Sequence, residues 1–365
     1  MPNKQQVLQE RLTAVQTHLS NWQVDALLIA SATNRRWLSG FTGSNAQLLV
    51  TPDQATIATD SRYYQQATAQ APLFTLFKHE RTEKETAVFL HQANAQKIGL
   101  EANHTTLEEA KKLEKAAPSV EWVHLNETVE PYRRIKAIAE VEAIQAAAAI
   151  TDQAMSLVNE ITHPGMSEKA LAWELEKAMR EAGADSMAFP IIVASGANAS
   201  SPHHMTGDRQ LQPGDAIIID MGAQLNGYRS DMTRTFFLGN APTSQFIEVY
   251  ELVLAAQTAV LTQTRPGMKN KEIDSIARNL IGNAGHREHF GHGLGHGVGL
   301  DIHEDPFLSP RSHESETISA GMTLTVEPGV YIPGWGGVRI EDLTIITNEG
   351  LESLSHCPKN PIIPI

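Results

Sequence analysis

Five residues in apolar, strand-like settings carry the chemistry of this chain. They are Asp220 in IIIDMG, Asp231 in YRSDMTRTF, His296 in GHGLGHGVGLDIHE, Glu327 in TVEPGVY and Glu341 in GVRIED. A carboxylate buried without a partner is costly and tends to take up a proton. The flanks in Ile217-Ile218-Ile219-Asp220 and Leu324-Thr325-Val326-Glu327 are core-like, so something cationic must offset these acids. Salt bridges to Arg234 and Arg339 are one solution, but too few cationic residues lie nearby in sequence for four acids. One histidine and four carboxylates offer enough charge for two divalent cations, and enough oxygens for two acids to bridge them. Such a pair acidifies a shared water and polarises a carbonyl, which is the chemistry of hydrolysis. The ligand set is oxygen-rich and fairly hard, favouring Mn2+ or Co2+, with Zn2+ and Fe2+ also compatible.

The segment GHGLGHGVG has glycine at every second position from Gly291 to Gly299. In an extended chain one face is then bare, and another backbone can approach it closely. The other face carries His292, Leu294, His296 and Val298. With His303 close by and His203 and His204 upstream, ligand and proton-transfer roles are expected within this group. His204 reads as a solvated neighbour of His203. The chain has no GxGxxG and no GK[ST], which excludes a phosphate loop. It also lacks a G-x-S-x-G elbow, and its one cysteine, Cys357, lies in a loop-like C-terminal segment, so nothing supports a serine or cysteine nucleophile.

Two hairpins should bring the acids together. Ala216–Gln224 and Tyr228–Phe237 flank Asn226-Gly227, a strong two-residue turn signal. That turn sets Thr233 opposite Asp220 and Gly222 opposite Asp231, so the two aspartates become diagonal neighbours on one face. Thr323–Ile332 and Val338–Thr347 flank Pro-Gly-Trp-Gly-Gly. A loop centred on Trp335 would set Glu341 opposite Gly329 and diagonal to Glu327. The halves also share helix punctuation. Thr162-His163-Pro164-Gly165-Met166 opens one helical segment and Thr264-Arg265-Pro266-Gly267-Met268 another, ending at Gly183 and Gly285. They align without a gap at a single offset of 102 residues, which points to a duplicated unit.

The 365 residues suffice for two domains. A formal net charge of −13 argues against nucleic acid as a partner. With one cysteine there is no disulfide framework, the polar N-terminus lacks an apolar signal region, and no run is long enough to span a membrane; a cytoplasmic protein is expected. Residues 4–20 read as an amphipathic helix, followed by a strand at Val24–Ala30 and a loop in NRRWLSGFTGS. Further βα alternation fits a small α/β domain over residues 1–130. The pattern breaks at Glu130-Pro131, and a long Ala- and Glu-rich helix from about Lys136 to Glu160 opens a second domain over residues 131–365.

At these motifs the chain resembles the family of aminopeptidase P, prolidase, methionine aminopeptidase and creatinase. IIIDMG, SDMTRTF, GHGLGHGVGLDIHE, TVEPGVY and RIED match its metal motifs in order and spacing. NRRWLSGFTGS and TDSRYYQQA resemble the smaller domain of bacterial Xaa-Pro peptidases, which methionine aminopeptidases lack; creatinases lose metal ligands that this chain keeps. The resemblance implies an α/β (α+β) chain, with a creatinase/prolidase-like N-terminal domain and a C-terminal "pita-bread" domain with internal pseudo-two-fold duplication. It implies two divalent ions, Mn2+ foremost. Asp220 would hold one, Asp231 and Glu341 would bridge, and His296 and Glu327 would complete the other. Glu327 would also handle the proton of the attacking water. His203, His292, His303 and Arg339 would act on the substrate side, with Tyr331 a weaker candidate. Trp37 is either core or a reach into a partner subunit's site. The implied activity is Xaa-Pro aminopeptidase, with Xaa-Pro dipeptidase (prolidase) as the alternative. The implied partners are proline-containing peptides and a second copy, as a homodimer or higher homo-oligomer. A non-catalytic binding module on the same fold is the reading from another class.

Overall fold

Leu8, Leu12 and Val15 recur at helical spacing, and helix α1 (Lys4–His18) buries all three. The structure is a computed structural model that describes residues 4–365. The chain divides into two units, residues up to Arg133 and Arg134–Ile365.

In the first unit, α1 is followed by β1 (Ala26–Ile29), α2 (Ala32–Ser39), β2 (Gln47–Val50), β3 (Ala55–Thr59), α3 (Tyr64–Gln70), β4 (Thr75–Lys78), α4 (Glu83–His91), β5 (Lys97–Glu101), α5 (Leu107–Ala116), β6 (Glu121–Leu125) and the short α6 (Glu130–Arg133). The strands form one mixed sheet in the order β4-β3-β2-β1-β5-β6. The expected loop at NRRWLSGFTGS is instead largely helical. Ser31 caps α2 by accepting from Asn34 N–H, and Gly40 ends it with a left-handed φ of 79°. Composition suggested a loop because these capping residues bracket a very short helix. Trp37 is core: it is buried, lies under the Arg11 guanidinium at 4.5 Å and stacks on Tyr132.

The second unit opens with α7 (Ile138–Ser156) and α8 (Val158–Ile161), two helices where one long helix was expected. Its first half continues through α9 (Glu168–Glu181), β7 (Ser186–Met187), β8 (Ile192–Ser195), β9 (Ala216–Met221), β10 (Ala223–Leu225), β11 (Tyr228–Arg229) and β12 (Met232–Leu238). The second half holds α10 (Ser244–Gln263), α11 (Asn270–Asn283), β13 (Gly295–Gly297), β14 (Glu304–Leu308), β15 (Thr323–Val326), β16 (Gly329–Ile332), β17 (Gly336–Arg339), β18 (Asp342–Ile346), β19 (Leu351–Ser353) and β20 (Ile362–Ile363). The main sheets run β20-β12-β9-β8 and β14-β13-β15-β18-β19.

The duplication is visible in the backbone. Helices α9 and α11 start and stop at residues related by the 102-residue offset. Gly165 and Gly267 share φ near 85° (84° and 86°), and isolated bridges Ser167–Gln210 and Lys269–Thr317 open the two helices in the same way. Each half has its own apolar core. Leu171, Leu175 and Met179 of α9 pack with Ile217 and Ile219, while Ile273, Ala277 and Ile281 of α11 pack with Leu324 and Val326. A strand such as Ile217–Asp220 thus turns apolar residues inward until its end, where the acid emerges.

Candidate active site

Asn226 and Gly227 both have positive φ, at 48° and 75°, and close a two-residue turn between Leu225 and Tyr228. The ladder that follows pairs Thr233 with Asp220 and Met232 with Met221. Asp220 and Asp231 therefore share a face of this hairpin.

The C-terminal hairpin has a different register from the expected one. Gly329 pairs with Arg339, not Glu341, and Ile332 pairs with Gly336. The turn contains only Pro333, Gly334 and Trp335, with Gly334 left-handed at φ 79°, so its centre lies one residue earlier. Moving the centre by one residue moves each pairing by two, which preserves the face each side chain occupies. The β15–β18 ladder has the same register, pairing Val326 with Asp342. Between the two ladders Glu327 and Glu341 face each other across a gap in the pairing. Their N–H groups donate elsewhere, Glu327 to Leu294 O at 2.9 Å and Glu341 to Thr233 O at 3.1 Å. These bonds tie the Glu327 segment to the segment that bears His296, and the Glu341 segment to the strand that follows Asp231.

The glycine alternation admits His296 to that site. A Cβ on Gly295 would lie 2.0 Å from Thr325 O, and one on Gly297 would lie 2.3 Å from Asp305 O. No residue other than glycine leaves room for those backbones. His296 Nε2 lies 3.5 Å from Glu327 Oε1 and 3.7 Å from Asp231 Oδ2. Ligand atoms of Asp231, His296 and Glu341 all fall within 4.8 Å of one another.

All of these groups, with Asp220, Arg339, His203, His292 and His303, line one cavity of about 1000 Å³. Phe189, Ile191, Ile302 and Phe307 supply apolar wall. Burial raises the carboxyl pKa values, and the acids raise each other. Glu327 is pushed up to about 8 by burial, which the nearby Arg339 only partly opposes, with Asp220 adding to the rise. Asp231 is held well above the carboxylate range by burial, then by Glu341, Asp220 and Glu327. Glu341 is raised in the same way by burial and by Glu327 and Asp220. Burial also drives His296 down to about 4, so its imidazole is neutral and able to ligate.

Among the described residues, one cationic side chain serves this cluster. Arg339 Nη2 donates to Asp220 Oδ2 at 2.8 Å, and its Nε donates to Thr233 Oγ1 at 3.0 Å. Thr233 in turn donates to Glu341 Oε2 at 2.7 Å. Arg234, the other candidate partner, is committed to Asp342 and to the carbonyls of Cys357 and Glu341. Asp220 Oδ1 is buried with no partner among the described residues. One guanidinium for four carboxylates, an orphaned carboxylate oxygen and a neutral imidazole together fit a site built for divalent cations.

The histidines separate into two kinds. His203 and His303 line the cavity and make no hydrogen bond among the described residues. His292 is engaged at both nitrogens, Nδ1 with Gly293 O at 2.6 Å and Nε2 with the Tyr331 hydroxyl at 2.9 Å. Burial, then Arg339, lowers its pKa to about 3, so it is neutral. The network then assigns Nδ1–H as donor to Gly293 and Nε2 as acceptor from Tyr331. Tyr331 also accepts from Arg339 Nη1 at 2.8 Å. His204 is not a solvated neighbour: its Nε2 donates to the fully buried Glu168 at 2.9 Å. Sequence reasoning had no role for Thr233 beyond pairing with Asp220, and it overlooked Arg311, an exposed cavity residue whose guanidinium has no partner among the described residues.

Residues 142–348 match the family described as Metallopeptidase family M24, and residues 11–135 match the Creatinase/Prolidase N-terminal domain. The uncharacterized peptidase YqhT of Bacillus subtilis (strain 168) is 40% identical over 93% of this chain and 96% of its own. Among solved structures, an Xaa-Pro dipeptidase from Bacillus anthracis superposes with a TM-score of 0.94 at 36% identity, covering 98% of this chain and 100% of that one. An X-Pro aminopeptidase from Thermotoga maritima MSB8 gives a TM-score of 0.87 at 32% identity, covering 94% of this chain and 98% of that one.

Proposed function

The chain belongs to metallopeptidase family M24, and from that premise we propose that it removes an N-terminal residue from peptides whose second residue is proline. The observation that carries the reading is the convergence of Asp220, Asp231, His296, Glu327, Glu341, Arg339, His203, His292 and His303 on one cavity. The two similar solved structures described as acting on Xaa-Pro substrates support it.

Asp220, Asp231, His296, Glu327 and Glu341 would hold two divalent ions, Mn2+ foremost. When bound, the ions acidify a water and polarise the scissile carbonyl. The Glu327 carboxylate accepts the proton of the attacking water and passes it to the proline nitrogen as the C–N bond breaks. His203 and His303 present free imidazoles that donate to the carbonyl oxygen and its neighbours. Arg339, Tyr331 and His292 form a fixed chain beside Asp220, and Arg339 orients that carboxylate and opposes the rise in pKa that burial imposes on it. The acidic cluster attracts the free amino terminus, and the apolar wall takes the proline ring, whose nitrogen carries no N–H to satisfy.

A cavity of about 1000 Å³ is far larger than a dipeptide, which supports the aminopeptidase reading. The second reading, Xaa-Pro dipeptidase, is favoured by Arg311, a guanidinium at the cavity with no protein partner and the right chemistry for a free carboxylate. Matched Xaa-Pro and Xaa-Pro-Yaa peptides with added Mn2+ separate the two. A higher kcat/KM for the tripeptide supports the aminopeptidase, cleavage confined to dipeptides supports the dipeptidase, and equal cleavage of Xaa-Ala peptides overturns proline specificity. The proposal includes a cytoplasmic setting, supported by a lone buried cysteine, and a homodimer or higher homo-oligomer, supported by the family resemblance and measurable by light scattering.

A further inference from the structure

Two carboxylates outside the metal cluster are fully buried, and each sits on one of the duplicated helices. Glu168 begins α9, and Asp274 lies in the second turn of α11. The 102-residue offset sets Glu168 on Asn270, and Asp274 is four residues further along, on the same helix face. Neither touches Asp220, Asp231, His296, Glu327 or Glu341 in any hydrogen bond or ion pair. Glu168 accepts from residues on either side of His203, and Asp274 accepts from Leu294 of the His292 segment and from Arg278 of its own helix.

Glu168 Oε1 accepts from Ser195 N at 2.9 Å, Ser195 Oγ at 2.7 Å and Asn198 Nδ2 at 3.0 Å. Its Oε2 accepts from His204 Nε2 at 2.9 Å and Gly207 N at 3.1 Å. These donors straddle His203, which itself is exposed to the cavity and unbonded. On α11, Asp274 Oδ1 accepts from Leu294 N at 3.2 Å, and both carboxylate oxygens pair with Arg278. Arg278 then donates to Phe290 O at 2.8 Å and His292 O at 2.7 Å. Residues 290, 292 and 294 are thus clamped around His292.

We propose that Glu168 and Asp274 are paired positioning residues, one per half, in which Glu168 sets the place of His203 and Asp274, through Arg278, sets the place of His292. This rests on the reading above that both histidines serve turnover. The physical reason is rigidity. A histidine on an irregular segment keeps its place only if the segment's backbone is held, and a buried carboxylate that accepts several hydrogen bonds holds it at low mobility. A displacement of the order of an ångström at a reacting centre costs up to about 100-fold in rate.

The test is a set of crossed double-mutant cycles on the full-length, metal-loaded enzyme. Glu168→Gln and Asp274→Asn are each placed in wild-type, His203→Ala and His292→Ala backgrounds, with metal content and kcat/KM read for all. Glu168→Gln is expected to lower kcat/KM about tenfold in wild type and in His292→Ala, and less than about twofold in His203→Ala, with bound metal unchanged. Asp274→Asn is expected to show the opposite dependence, losing its effect only in His292→Ala. Equal losses in both backgrounds, or none in wild type, overturn the proposal. Wild-type turnover in the single histidine variants overturns the histidine roles instead, and the cycles with them. Should Glu168→Gln fail to fold, His204→Phe and His204→Gln replace it, since His204 is at the cavity surface. The phenylalanine removes the donor to Glu168 and should reproduce the loss, whereas the glutamine sets an amide N–H near the place of His204 Nε2 and should restore most of the rate; the same loss from both overturns the Glu168 arm. On the other side, Arg278→Met removes both donors to the His292 segment and serves the same purpose.

Discussion

Replacing Tyr331 by phenylalanine removes one hydroxyl from the middle of a buried chain, Arg339 to Tyr331 to His292 to Gly293, and leaves the ring in place. The hydroxyl accepts from a guanidinium, a bond of the kind that contributes about 1.5–3 kcal/mol. It also donates to His292 Nε2, and an acceptor left unpaired in a buried site costs about 1–3 kcal/mol. The phenol's own desolvation is relieved at the same time, so the net loss should be about 2–4 kcal/mol. Tm falls roughly 2–4 °C per kcal/mol in a unit of this size, which sets the expected drop at about 4–16 °C. The measurement is thermal unfolding of wild type and variant after exhaustive chelation, so that bound ions do not mask the difference. Turnover of an Xaa-Pro-Yaa peptide should fall as well, because Arg339 loses an anchor that directs it at Asp220. A Tm change below about 2 °C, with turnover intact, would show that the chain of donors is not what fixes Arg339 and His292.

Removing the metals should abolish hydrolysis and lower Tm, since ions bound only by the folded protein stabilise it by mass action; full activity in a demonstrably metal-free sample refutes the metal reading. His296→Ala should lose metal on elemental analysis, whereas His203→Ala and His303→Ala should keep it and lose turnover, and the reverse pattern would exchange these assignments. In the chelated protein, Glu327 at about 8 sits above its unfolded value while His292 and His296 sit below theirs, at about 3 and about 4. The raised carboxyl loses stability as pH rises through its folded pKa, and the histidines cost stability only below about pH 6.5, so chelated Tm should fall between about pH 6.5 and pH 8 and metal should restore it; a chelated Tm that climbs across this window contradicts the pKa assignments. Arg311→Ala should lower kcat/KM about tenfold or more for an Xaa-Pro dipeptide and less than about twofold for a longer peptide if Arg311 holds a free carboxylate, and equal effects on both lengths would remove it from that role.

The α/β character, the duplication and the hairpin around Asp220 were legible from local signals. Asn-Gly forces a two-residue turn, so the Thr233–Asp220 pairing followed from chain chemistry alone. Gly at alternate positions from Gly291 to Gly299 announced a close backbone approach, and Thr325 and Asp305 supply the approaching carbonyls. The matching helix punctuation at Gly165 and Gly267 exposed the repeat because a left-handed glycine leaves its mark in sequence. Other features depend on contacts between residues far apart in the chain. The turn at Pro333-Gly334-Trp335 chose a register two residues from the expected one, since glycines on both sides of Trp335 made either centre possible locally. Helix α2 formed where capping residues resembled a loop, and its Trp37 became core because Arg11 and Tyr132 close over it. Sequence determined which side chains had the chemistry for a two-cation site. Tertiary structure decided how they are wired: Arg339 to Asp220, Thr233 to Glu341, Tyr331 to His292, and His204 to Glu168. Those pairings follow from which strand ends and helix turns meet when the two halves bury their apolar faces, and no local propensity encodes that meeting.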